Sequence, residues 1–207
     1  MFSWLDNSYP WLSLLLNAAM LVVWIAYLQT IVSGYRRQRR AKIVINQGAG
    51  SSVDATCFIS NMSQESIYVE SVVMRVNAGG KHWECAVTDV ERLDGEEESS
   101  DPRQNTLQGP LRPGDFMPIG SFRRLAERVL RVRRDGSNSV ENLQDPIELE
   151  LQVFADYASE DLLVSAKRRF EIRRRDGALC LHAPTLATEQ IRSLRARKQI
   201  MAAMRKG

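Results

Sequence analysis

The chain has 207 residues, with 28 basic and 25 acidic side chains and a formal net charge of +3. That charge is segregated: net +4 over residues 1–42, net −6 over 43–185 and net +5 over 186–207. The body lacks the cationic composition that argues for nucleic acid, so nucleic acid is not expected as a partner. The three cysteines, Cys57, Cys85 and Cys180, include no CxxC pair and argue for thiols rather than a disulfide framework.

In chain order, residues 1–10 form a short segment with one acid, Asp6, and no base. Residues 11–33 read WLSLLLNAAMLVVWIAYLQTIVS, with no ionisable side chain. About 20 such residues suffice for a helix to cross a bilayer core. Trp4, Tyr9 and Trp11 flank one end and Tyr27 and Tyr35 the other, as interfacial rings do. Residues 34–42 form a basic collar, with Arg36, Arg37, Arg39, Arg40 and Lys42 placed to hold topology against anionic headgroups. A cleaved signal peptide would have a basic start, a shorter apolar core and a small-residue cleavage site. This start is acidic, and arginines stand where a mature domain would begin. The expectation is one uncleaved span in a bacterial-type inner membrane, N-terminus outside and the remainder cytoplasmic. Asn17, about a third of the way into the span, is the candidate for packing against another membrane helix, since a buried amide there needs a partner.

Residues 43–184 read mainly as β structure. Lys42–Asn46 and Val53–Ser60 are apolar, strand-like runs. In Ser66–Asn77, Tyr68, Val72, Met74 and Val76 share a parity, and the turn Asn77-Ala78-Gly79-Gly80 leads into Lys81–Val90, with Trp83, Cys85 and Val87 on one side. Asp94–Asp101 is an acidic loop without calcium-loop spacing. Gly109-Pro110 and Pro113–Asp115 read as turns. Near 121–134, Phe122, Leu125, Ala126, Val129 and Leu130 predict an amphipathic helix with Ser121 as N-cap. Its other face carries Arg123, Arg124, Arg128 and Arg131, candidates for a partner surface. Pro146–Tyr157 alternates strictly, with Glu148 and Glu150 on the wet face, and Asp161–Arg173 and Ala178–His182 follow as strands. The expected fold is mainly β, an antiparallel immunoglobulin-like sandwich with an inserted helix. Residues 185–207 predict a basic C-terminal helix, with Arg192 and Arg195 as further partner-surface candidates.

No nucleophile elbow, phosphate loop or dinucleotide motif occurs, and His82 and His182 have no local nucleophile. No catalytic residue, cofactor or metal site is expected. The Asn61-Met62-Ser63 triplet matches a glycosylation acceptor, without consequence on a cytoplasmic face. The function expected is a non-catalytic accessory or scaffold subunit of a larger membrane complex, with anionic lipid and other membrane subunits as partners. The alternatives are a tethered sensor or adaptor that binds a soluble ligand or protein, and a membrane-linked hydrolase.

Overall fold

The computed structural model describes residues 9–38, 41–87, 107–132, 139–157, 163–175 and 177–191. They fall into two compact units, residues 1–40 and 41–207. The first is a helix, α1 (Tyr9–Gln38), about 45 Å long at 1.5 Å per residue. Within it Trp11–Tyr35 is long and apolar enough to cross a membrane, and none of it is covered by the protein. Helices of this length and composition serve as membrane anchors or as N-terminal signal segments. The helix outlasts the expected span, so positions 36 and 37 of the collar continue its backbone, while Arg39 and Arg40 lie outside the described residues.

The second unit is built on antiparallel sheets. β1 (Ile43–Gln47), β2 (Thr56–Asn61) and β6 (Phe116–Ser121) form a three-stranded sheet in the order β1-β2-β6. The larger sheet runs β10-β8-β7-β3-β4, with β3 (Ile67–Ala78), β4 (Lys81–Ala86), β7 (Ile147–Tyr157), β8 (Val164–Arg175) and β10 (Glu189–Ile191). β5 (Gly109–Leu111) adds to β3, and β9 (Ala178–His182) adds to β8. Ile43, Ile45, Cys57 and Ile59 from the small sheet share one core with Val72, Met74, Leu149, Leu151 and Phe170 from the large one.

The strands follow their patterning where local signals decide it. Ile147, Leu149, Leu151, Val153 and Ala155 of β7 are all buried. The β3–β4 turn holds Gly79 at φ +54 and Gly80 at φ +77, as a two-residue hairpin loop needs. Helix α2 (Phe122–Val132) buries Phe122, Leu125, Ala126, Val129 and Leu130. Ser121 Oγ accepts from Arg124 N at 3.3 Å, and Ala55 O and Val53 O accept from the N–H groups of Phe122 and Arg123. Three of the helix's orphan donors are thereby satisfied.

Four expectations are corrected. Residues 53–55 precede the β2 ladder in a turn, because Val53 N and Ala55 N bond Leu179 O and Ser52 O instead. Tyr68 does not share the core face with Val72, Met74 and Val76: it is 44% exposed, while Ile67 and Val69 are buried. A register shift between Val69 and Ser71 inserts Glu70 as an extra residue and inverts the parity. Gly109-Pro110 is strand rather than turn, because Pro110 occupies a short strand where its missing N–H is tolerated. Residues 185–191 are not helical. Glu189–Ile191 pairs with Lys167–Ser165 of β8, and residues 192–207, Arg192 and Arg195 among them, lie outside the described residues.

Deleting Glu70 would drive one half of β3's apolar residues to the wrong face. The expected cost is more than about 4 kcal/mol, against less than about 0.5 kcal/mol for Glu70→Ala. Thermal unfolding of both variants, followed by circular dichroism, checks this.

Candidate functional site

On α2 the four candidate arginines have different fates. Arg123 is taken up locally: its Nε donates to Asp54 Oδ1 at 2.6 Å, and its guanidinium also pairs with Glu141. The Arg123 hydrogen bond holds the Asp54 carboxyl below its ordinary range. Arg128 donates to Val87 O at 3.4 Å. Arg124 and Arg131 are exposed, with no ion pair among the described residues. At i and i+7 they share one helix face. The cationic surface thus reduces to Arg124 and Arg131.

The most heavily constrained polar group was not singled out by the sequence. Arg168 falls in register with Ala166 and Phe170 of β8 and is only 8% exposed. Its Nη1 donates to Ile45 O and to Asn46 Oδ1, both at 2.6 Å, and its Nη2 donates to Thr185 O at 3.2 Å. The guanidinium carbon lies 5.2 Å from the Phe170 ring centroid, within cation–π range. Its Nε is buried without a hydrogen-bond partner. Burial lowers the Arg168 pKa from its ordinary value, yet a guanidinium stays charged in a protein. A buried cation is tolerated only when hydrogen-bonded, and here backbone carbonyls of β1 and of the 183–188 segment supply the bonds.

The same edge of β1 is completed by two more side chains. Thr188 Oγ1 accepts from Ile45 N at 2.9 Å and donates to Ile45 O at 3.3 Å. Gln190 Oε1 accepts from Ile43 N at 3.1 Å, and its Nε2 donates to Ile43 O at 2.5 Å. Each imitates the donor–acceptor pair of a neighbouring strand. Thr188 and Gln190 reach β1 together because an extended chain places residues i and i+2 on one side. This explains the absence of helix at 185–191.

A second polar assembly lies on the other face of the large sheet. Arg75 grips Glu84 at 2.9 and 3.1 Å and bonds Glu150 at 2.7 Å and Gln152 at 2.9 Å. Arg169 bonds the second oxygen of Glu150 at 2.9 Å. The Arg75 hydrogen bond lowers the Glu84 pKa. Burial pushes Glu150 up, but the bonds from Arg169 and Arg75 outweigh it and the net shift is downward. Glu148 and Glu150 therefore do not act as an isolated carboxylate pair.

The remaining candidates are placed as follows. His82 is exposed, bonded through Nδ1 to Asn77, with Nε2 3.8 Å from Glu84. His182 lines a cleft of about 350 Å³ with Ser51, Arg173, Arg175 and Cys180, and among the described residues no carboxylate lines it. Where β9 and β10 part along β8, a second cleft of about 370 Å³ is lined by Lys167, Arg169, Glu171, Pro184, Thr185 and Glu189. Among the described residues no three His, Cys, Asp or Glu side chains gather as metal ligands. The cysteines form no disulfide, and Cys57 is buried, with desolvation raising its thiol pKa. Asn61 is also buried; its Nδ2 donates to Glu65 O and Leu111 O, each at 2.9 Å. The nitrogen that would carry a glycan is thus occupied in the folded domain. Asn17 sits on α1 in line with Ser13, Met20 and Trp24, and its amide has no partner among the described residues. Thr30 and Ser33, by contrast, bond helix carbonyls at 2.9 and 3.1 Å. Lys42 is the second residue of the second unit, after Ala41; the side chains of residues 36–40 lie outside the described set.

No protein-family model, curated protein or solved structure matches this chain.

Arg168→Met is expected to cost about 2–4 kcal/mol, because it strands the carbonyls that Arg168 satisfies. It should also speed alkylation of Cys57, which in the parent reacts far more slowly than the half-buried Cys85 and Cys180. Mass spectrometry of iodoacetamide-treated protein reads both effects. For the other assembly, depressed carboxylate pKa values contribute stability above the ordinary value of 4.5 and lose it as pH falls through the folded-state values. Arg75→Met should therefore destabilise by about 1–3 kcal/mol at neutral pH. The difference should narrow near about pH 3. Urea unfolding at the two pH values tests this.

Proposed function

We propose that this chain is a non-catalytic, membrane-anchored accessory or scaffold subunit of a larger membrane protein complex. One observation carries the reading: Trp11–Tyr35 is apolar, uncovered by its own chain, and bears an amide at Asn17 without a partner among the described residues. Such a helix needs lipid on most of its surface and a polar neighbour at one point. In this reading the helix sits in a bacterial-type inner membrane with its N-terminus outside. The charge asymmetry supports this, since the collar from Arg36 to Lys42 favours retention of the following domain on the cytoplasmic side. The domain is read as an immunoglobulin-like sandwich, supported by two antiparallel sheets that share one core. Partners are held through the helix and through the domain surface, where Arg124 and Arg131 stand exposed. Among the described residues, the surroundings of His82 and His182 assemble no acid–histidine–nucleophile set, and the reading gives neither a catalytic role.

The test is purification of the intact protein from native membranes in mild detergent. Co-purifying membrane subunits are expected, and Asn17→Leu should reduce their recovery by about tenfold, the equivalent of one lost buried hydrogen bond. Recovery of the protein alone in both forms contradicts the proposal.

A second reading, a tethered sensor or adaptor, is favoured by the 370 Å³ cleft beside Lys167 and Arg169. Small-ligand sites begin at about this volume. The reading predicts that a soluble anionic or zwitterionic ligand raises the domain's melting temperature and that Lys167→Ala abolishes the rise.

A further inference from the structure

We propose that the outer face of the three-stranded sheet is a lipid-contact surface that seats the β domain on the bilayer. This rests on reading α1 as a membrane anchor, but not on the accessory-subunit role. Val44, Phe58, Phe116 and Pro118 alternate away from the core on β1, β2 and β6. Phe116 is 63% exposed and packs edge-on against Phe58, with ring centroids 5.6 Å apart. Met62, just past the end of β2, is 52% exposed. Exposed Phe116 and Met62 thus adjoin the half-buried Val44, Phe58 and Pro118, an apolar grouping of the kind that marks an interaction surface.

Its position identifies the occupant. Residues 39–42 alone separate α1 from β1, a tether of at most about 14 Å when extended. Val44, Phe116 and Met62 lie toward the β1 end that this tether enters, and Phe58 and Pro118 continue the patch one row further along, opposite Asn46. Lys42 N donates to Ser63 Oγ and Lys42 O accepts from Met62 N, both at 2.8 Å, so the loop bearing Met62 is fastened to the tether's last residue. Phe116 pairs with Ser60, and Ser60 with Val44, one residue further in. Basic residues of the tether attract anionic headgroups, and apolar side chains beside such a cluster add insertion energy at the headgroup–acyl boundary. The nearby Asp115 carboxylate does not oppose this freely, because it caps Arg112 N at 3.3 Å. A lipid surface thus meets both features, whereas a soluble partner would leave the placement beside the anchor unexplained.

The experiment uses the full chain in nanodiscs of phosphatidylcholine and phosphatidylglycerol, with a phosphatidylcholine carrying a diazirine next to the glycerol ester. After illumination, adducts are mapped by mass spectrometry. Peptides holding Met62 and Phe116 are expected to be labelled at least about fivefold more than the peptide holding Val132, which is 46% exposed on α2, a helix that starts at the β2 end opposite Lys42. The double variant Met62→Asp, Phe116→Asp should lose that excess while labelling at 11–35 persists. Labelling at 11–35 with the patch no higher than Val132 overturns this proposal and leaves the anchor intact. Loss of labelling at 11–35 as well overturns both. A patch that instead cross-links to a protein subunit in native membranes assigns it to that subunit and also overturns the proposal.

Discussion

An apolar helix that its own chain leaves bare is the constraint on which the rest depends. Every described side chain from Trp11 to Tyr35 is exposed, so the hydrophobic free energy of α1 is unrealised within the molecule. At about 25 cal/mol per Å² of apolar surface, that amounts to tens of kcal/mol, far more than a domain's net stability. Something outside the chain must cover it. The β domain meets the opposite requirement. Its described apolar residues already share one core, and among the described residues it offers outward exposed arginines, shallow clefts and an apolar sheet face.

The domain closes that core by side chains as well as by ladders. The small sheet ends at β1, whose edge groups at Ile43 and Ile45 find Gln190, Thr188 and Arg168 where another strand would lie. This joins the sheets at a seam without making the edge continuous. It also ties the start of the domain, directly after the basic collar, to residues nearly 150 positions later. An edge treated this way is blocked against pairing with other chains. The cost is a buried guanidinium with an unpartnered Nε. Specificity at the seam depends on keeping that charge, since a planar fork reaches three acceptors that a lysine could not.

How much of this was legible follows from where each signal resides. The uncharged run and its collar announce α1, the strict alternation of Ile147 to Ala155 announces β7, and Ser121 with its i, i+3, i+4 residues announces α2. All three depend on neighbours in sequence. The Glu70 bulge carries no local signature, because an extra residue is defined only against the partner strand, so sequence parity puts Tyr68 on the wrong face. Arg168 hides because a charged residue in a core parity reads as an interruption until its acceptors on β1 are known. Thr188 and Gln190 look like the start of a basic helix for the same reason: their partners, Ile45 and Ile43, lie more than 140 residues away. Of the candidate arginines on α2, Arg124 and Arg131 are exposed, while Arg123 and Arg128 are spent on contacts that only the fold creates.

The orientation of the β domain decides between an anchor that retains it and a signal segment that exports it. The direct measurement is labelling of a single cysteine at position 186, Leu186→Cys with the native cysteines replaced by serine, using a membrane-impermeant maleimide on intact cells and on permeabilised ones. Labelling only after permeabilisation, with the protein in the membrane fraction, is the result this account predicts. Equal labelling of intact cells would place the domain outside and contradict it.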